Sequence, residues 1–234
     1  MRILITRPLD DAKRTAEKLT ALGHRCHVAP MLTIVERENI ALAFDDVQAI
    51  IVTSANGIRA LAPRTPVRDV PVFAVGEHLA SVARGLGFAD VKSADGDVVA
   101  LARAIETWAT PQGGALLHAA ASKTAGQLRQ TLEQRGYRVR TAVLYDAVVA
   151  QAFDAQTRDM LAAGEIDTVL FYSPRTAAAF ADCVREAGLI AACRRIIALF
   201  ISSAAAARCA AIPFAQVRIA VRPNEDDLLK LLQA

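Results

Sequence analysis

The chain has 234 residues, 53% of them hydrophobic and 22% charged, enough to fill the core of one large domain or two of ordinary size. A net charge of +3 without basic clustering tolerates an anionic ligand but excludes nucleic-acid binding. No charge-free apolar run is long enough to cross a bilayer, and the first strand begins at once with Arg7 and Asp10 close behind it, so neither a membrane span nor a signal peptide is expected.

Four cysteines (Cys26, Cys183, Cys193 and Cys209) show no CxxC or zinc-like spacing, which fits buried thiols in a cytoplasmic protein. In chain order, the first strand is Arg2–Thr6, followed by the polar loop RPLDD. A helix then runs to about Leu22, with Ala12, Ala16, Leu19 and Leu22 on one stripe. Gly23 is the expected left-handed stop, and Cys26–Ile34 is expected to run extended. Ala49–Thr53 is a continuous apolar run of the kind buried on both faces of a parallel sheet. SANG and a helix follow it. PVFAV, GEH and a second helix come next, then the short strand ADVKSA and the helix VVALARAIETW.

From Gly114 the chain repeats itself. Gly136 falls on Gly23 and Leu117 on Leu4, both at an offset of 113, and Tyr145 falls on Leu32. TVLFY-SPRT matches AIIVT-SANG, with Ser173 over Ser54 at an offset of 119. IIALFI-SSAA matches PVFAV-GEH, with Phe214 over Phe88 at an offset of 126. An internal duplication explains this order. Each half alternates strand and helix, which predicts α/β architecture with parallel sheets of flavodoxin-like type. Ligands bind such sheets at the carboxyl ends of the strands. The loops there carry Thr6, Arg7, Ser54, Asn56, Gly76, His78, Ser122, Lys123, Ser173, Arg175, Thr176, Ser202 and Ser203. Hydroxyls and backbone N–H groups at helix starts suit anions, although the same residues cap helices in any α/β protein.

No GxGxxG follows the first strand and no GxxxxGK[ST] occurs, so dinucleotide and P-loop sites are not expected. His24, Cys26 and His27 are not expected to bind a metal. Strand alternation puts His27 on the opposite face, and the second copy has Tyr137-Arg138-Val139-Arg140 there. His118 reads as a core histidine. On these grounds alone the chain is a two-domain α/β protein with an anion-friendly site, and tandem halves split near Gly113 remain open.

Five stretches in order, Thr6-Arg7-Pro8, TSANG, FAVGEHLA, LxxxGYxVxxxxLY and YSPRTAAAF, resemble the uroporphyrinogen-III synthase family along essentially the whole chain. The resemblance implies two flavodoxin-like domains joined by a two-stranded hinge at LTIVE and LYDAVV. Residues 1–34 with 149–234 would form one, and residues 35–148 an inserted second. It further implies a cofactor-free, metal-free lyase that cyclises hydroxymethylbilane, inverting its last ring with loss of water, in a cleft between the domains. The protein would act as a monomer on this small molecule, at most in transient contact with the preceding pathway enzyme. Tyr145 matches the family's site tyrosine. A phenol, with a reference pKa of about 10, is protonated at neutral pH and could donate to the departing hydroxyl. Arg7 and Arg175 would contact substrate carboxylates, and Lys123 more weakly. The family's glycine-containing loop is replaced by Ser202-Ser203-Ala204, which puts that loop's backbone geometry and its substrate contacts in question. A non-catalytic two-lobed anion-binding or regulatory protein is the alternative, and a synthase that has lost activity is a third reading.

Overall fold

The structure is a computed structural model that describes residues 1–122 and 128–233. The chain divides into two compact units, residues 1–33 with 148–234, and residues 34–147.

The first unit contains strands β1 (Arg2–Ile5), β2 (Arg25–Val28), β9 (Thr168–Phe171), β10 (Ile197–Phe200) and β11 (Gln216–Ile219). Its helices are α1 (Leu9–Ala21), α6 (Ala155–Ala162), α7 (Pro174–Glu186), α8 (Ser203–Ala207) and α9 (Glu225–Lys230). The sheet order is β11-β10-β9-β1-β2, and every pair is parallel. Read from the other edge and renumbered within the unit, this is the flavodoxin-like order 2-1-3-4-5. The central β1 and β9 are apolar on both faces because helices cover both. One face packs a cluster around Phe171, Phe180 and Phe200. The other packs Ile3, Ile5, Leu19 and Leu199.

The second unit carries β4 (Val47–Val52), β5 (Val72–Ala74), β6 (Val91–Ser93) and β7 (Ala115–Ala121), with helices α2 (Ala55–Leu61), α3 (Glu77–Gly85), α4 (Val98–Trp108) and α5 (Leu128–Gln134). The six-stranded sheet runs β3-β8-β7-β4-β5-β6, where β3 is Leu32–Glu36 and β8 is Arg138–Val149. Through the duplication, β7 and β8 correspond to β1 and β2, and β4, β5 and β6 to β9, β10 and β11. The spatial order β8-β7-β4-β5-β6 therefore equals that of the first unit. Each sheet is completed by strands from both halves of the chain: β1 pairs with β9 from the second repeat, and β4 with β7.

The duplication is visible in the backbone. Gly23 (φ 82°) and Gly136 (φ 86°) both occupy the left-handed region that stops a helix. Their hydrogen bonds are equivalent: the Gly23 N–H donates to Thr20 and that of His24 to Leu19, as Gly136 does to Glu133 and Tyr137 to Leu132.

The expected extended run Cys26–Ile34 is in fact two strands broken at residues 29–31. There the Ala29 N–H donates to Ile5 and the Met31 N–H to Thr6, while Pro30 has no N–H with which to continue a ladder. β3 lies beside β8. The Ala150 N–H donates to Met31 at 3.1 Å and the Arg37 N–H to Leu144 at 2.9 Å. One number rises as the other falls, so the two segments run antiparallel. Between Ala120 and Ala121 the β7–β8 register shifts, with Ala120 opposite Val143 and Ala121 opposite Tyr145. The extra residue, Leu144, makes a bulge.

Candidate functional site

Because the core strands of each sheet are parallel, the loops after them share one end of each unit. In the first unit, Thr6 follows β1 and is fully buried; its hydroxyl donates to the Leu170 carbonyl at 2.7 Å, tying β1 to β9. That leaves only its backbone for any ligand, and its carbonyl accepts from Met31. Arg7 is held on several sides. Its guanidinium lies 4.1 Å from the Tyr172 ring centroid, donates to Glu225 Oε1 at 2.7 Å and to Thr15 Oγ1 at 3.1 Å, and approaches Asp11 at 3.6 Å.

Glu225 also accepts from Lys18 at 2.6 Å and Thr15 at 2.8 Å. Burial pushes its carboxyl up, but Lys18, Thr15 and Arg7 outweigh this and hold it below the usual carboxylate range. Burial and the facing Glu225 push the Tyr172 phenol up. Sequence reasoning missed Tyr172 and Glu225. The only signal was the aromatic residue immediately before Ser173.

Ser173 caps α7, accepting from the Thr176 N–H at 3.1 Å, and the Thr176 hydroxyl donates back to the Ser173 carbonyl at 3.0 Å. Arg175 sits at the second position of this helix. Ser202 caps α8, accepting from the Ala205 N–H at 3.3 Å, and Ser203 is the exposed first residue of that helix.

At its N-cap the Ser202 loop has the same backbone conformation as the glycine at the equivalent place in the first repeat. Ser202 has φ −159° and ψ 160°, against φ −160° and ψ 165° for Gly76 at the equivalent N-cap. Both are extended conformations open to any residue, and a Cβ on Gly76 would meet nothing within 4 Å. Gly76→Ser is therefore expected to fold normally and to gain a few tenths of a kcal/mol from the added cap. A thermal melt that drops by several degrees would contradict this.

In the second unit, Ser54 caps α2 and accepts from the Asn56 N–H at 3.2 Å. Asn56 Oδ1 lies 3.5 Å from Arg59. Gly57 is required by close approach, since a Cβ there would stand 2.5 Å from the Ala119 carbonyl oxygen. His78 lies exposed in the first turn of α3. Lys123 falls outside the described residues.

Ser122 follows β7, and its N–H donates to the Tyr145 carbonyl at 3.1 Å. Tyr145 lies on β8 at the bulge, 5% exposed, with its ring in the apolar cluster of Val52, Ala119 and Leu144. Next to it, Asp146 accepts two hydrogen bonds from Arg37, from Nε at 2.8 Å and from the terminal nitrogen at 3.1 Å. Arg37 and then the Ser122 hydroxyl hold the Asp146 carboxyl below its ordinary range.

His27 and Cys26 face opposite helices: His27 Nε2 lies 2.8 Å from the Thr157 hydroxyl, and Cys26 Sγ reaches the Ala16 carbonyl. Among the described residues no group of three or more His, Cys, Asp or Glu is placed to hold a metal ion, and no helix is long and apolar enough to cross a membrane.

The sequence profile of the family described as Uroporphyrinogen-III synthase HemD matches residues 13–230. The chain belongs to the uroporphyrinogen-III synthase family. Members of this family are cyclising lyases that act on hydroxymethylbilane. Solved structures agree on the fold. A uroporphyrinogen-III synthetase from Helicobacter pylori is similar with a TM-score of 0.68 at 16% identity, covering 100% of this chain and 99% of that one. A mutant uroporphyrinogen III synthase from the extremely thermophilic bacterium Thermus thermophilus is similar with a TM-score of 0.57 at 18% identity, covering 100% and 97%. No curated protein matches the sequence significantly.

Proposed function

We propose that this chain closes hydroxymethylbilane to uroporphyrinogen III as a cytoplasmic monomer, with Tyr145 donating a proton or hydrogen bond to the departing hydroxyl. The observation that carries the reading is the family match across residues 13–230, which includes Tyr145 and the strand-end loops of both units apart from Thr6–Arg7.

The reaction asks more of geometry than of acid strength. A linear tetrapyrrole left alone closes without inverting its last ring. The protein must fold the chain so that the substituted carbon attacks, and positioning of this kind supplies several kcal/mol. Eight substrate carboxylates can be held by many weak donors. The start of α7 (Ser173, Arg175, Thr176), the start of α3 (Gly76, His78) and the loops at Ser54–Asn56, Ser122–Lys123 and Ser202–Ser203 are proposed to supply them. Arg7, already matched by Glu225 and Asp11, would exchange an internal carboxylate for one from the substrate.

Freshly made hydroxymethylbilane mixed with the protein is expected to yield isomer III. Isomer I alone would reject the reading in favour of a non-catalytic anion binder or a synthase that has lost activity. Tyr145→Phe is expected to lower kcat by about 10²-fold with unchanged melting. Full turnover by that variant would remove the acid role.

A further inference from the structure

The bulge that carries Tyr145 is held from both sides. On one side the Arg37 N–H donates to the Leu144 carbonyl at 2.9 Å, and on the other the Ser122 N–H donates to the Tyr145 carbonyl at 3.1 Å. These two carbonyls belong to the extra residue and to the tyrosine that follows it. A bulge opens the ladder and leaves its residues without the regular pairing that would fix their direction. Something else must fix it.

The Asp146 side chain joins the two clamps. Its carboxylate takes both ends of the Arg37 fork, and Ser122 helps hold it below its ordinary range. Arg37, Asp146 and Ser122 come from three consecutive places across the sheet: just past β3, on β8, and just past β7. A bidentate guanidinium–carboxylate pair sets orientation as well as distance, so the Arg37–Asp146 pair fixes β8 just past the bulge to the segment that follows β3, while the Ser122 N–H holds the Tyr145 carbonyl from the other side. Since the pair keeps Asp146 ionised, Asp146 is an acceptor only and holds no proton to give. Its contribution to a proton-donating step would be geometric.

We infer that Asp146, with Arg37, is a positioning residue for the reaction, fixing the direction in which the bulge presents Tyr145 to the substrate. This rests on the proposed role of Tyr145. It adds a residue pair that acts through that tyrosine without touching the reacting atoms.

The test is a double-mutant cycle on kcat with hydroxymethylbilane, comparing the unaltered protein, Asp146→Asn, Tyr145→Phe and the double variant, each with its melting temperature. Asp146→Asn keeps the size of the side chain and loses its charge. It is expected to lower kcat about ten-fold, since small misplacements of a reacting group cost this much or more. In the Tyr145→Phe background the same substitution is expected to change kcat by less than two-fold. Arg37→Lys, which keeps the charge but not the fork, is expected to behave like Asp146→Asn.

An equal loss from Asp146→Asn with and without Tyr145→Phe would overturn the inference, because the effect would then not pass through Tyr145. No loss at all would overturn it as well. If Tyr145→Phe alone keeps full kcat, the acid reading has failed and the positioning role of Asp146 falls with it. That result is distinct from a tyrosine that matters beside an aspartate that does not.

Discussion

Phe171→Ala is expected to destabilise the first unit by about 4 kcal/mol, the range seen when a fully buried aromatic side chain leaves a cavity that cannot collapse. Phe171 is 0% exposed in the central strand β9. Its ring stacks on Phe200 at 4.7 Å and meets Phe180 edge-on at 5.1 Å and Phe214 at 6.3 Å, and Phe180 in turn meets Phe153. Five of the eight phenylalanines thus join one cluster. The neighbours cannot close the gap, since Phe200 is fixed on the adjacent strand and Phe180 on α7. The loss can be read in one unit by itself. All four cysteines lie in the first unit, with Cys183, Cys193 and Cys209 buried beside this cluster, and burial pushes the thiols of Cys193 and Cys209 up to about 11 and about 12. They should react with a thiol reagent only when this unit opens. Trp108, the single tryptophan, lies in the second unit. Urea-dependent thiol labelling should shift to much lower urea in Phe171→Ala and only slightly in Phe171→Leu. Equal midpoints for Phe171→Ala and the unaltered chain would show that the aromatic cluster contributes little to the core.

Much of this architecture was legible in the chain because buried parallel strands announce themselves. Ala49–Thr53 and Thr168–Tyr172 are apolar without alternation, and a serine N-cap stands after each. The duplication was also legible, down to Gly23 and Gly136. What local pattern could not decide was partner choice. β1 and β7 are near copies, as are β4 and β9, so every strand had two chemically equivalent neighbours available; pairing β1 with β9 is a long-range outcome that no window of residues contains. The loop residues were legible as polar, but not as spent or unspent. Thr6 and Ser202 look alike in sequence, yet one is sealed against Leu170 and the other caps a helix. Tyr145 came from family resemblance, whereas the bulge and the Arg37–Asp146 clamp around it depend on register and had no sequence signal. The Ser202 loop is a case where residue type says little about backbone: Ser202 shares the extended N-cap conformation of Gly76, its counterpart in the first repeat.

Acid should weaken the second unit ahead of any general loss of charge pairing, and His118 is the reason. It sits on the central strand β7, 2% exposed, with the Thr53 hydroxyl 3.3 Å from Nε2. Burial lowers its imidazole from 6.5 to about 4, so the folded unit keeps it neutral where an unfolded chain would not. Above pH 6.5 both states hold a neutral ring and the residue contributes no pH dependence. As pH falls from 6.5 towards 4, the unfolded chain takes up a proton that the folded site refuses, and stability is lost over that interval; below about 4 both states are protonated and the loss stops growing. At roughly 1.4 kcal/mol per unit the full loss is about 3 kcal/mol. Carboxylates also titrate at the lower end of this window, so the comparison that isolates the histidine is with His118→Gln, which can still bond the Thr53 hydroxyl but cannot charge. Urea unfolding followed by Trp108 fluorescence should show the unaltered chain losing stability between pH 7 and pH 5, where carboxylates contribute little, and the variant holding level. Parallel pH profiles for the two proteins would mean that His118 is charged in the folded unit or that water reaches it.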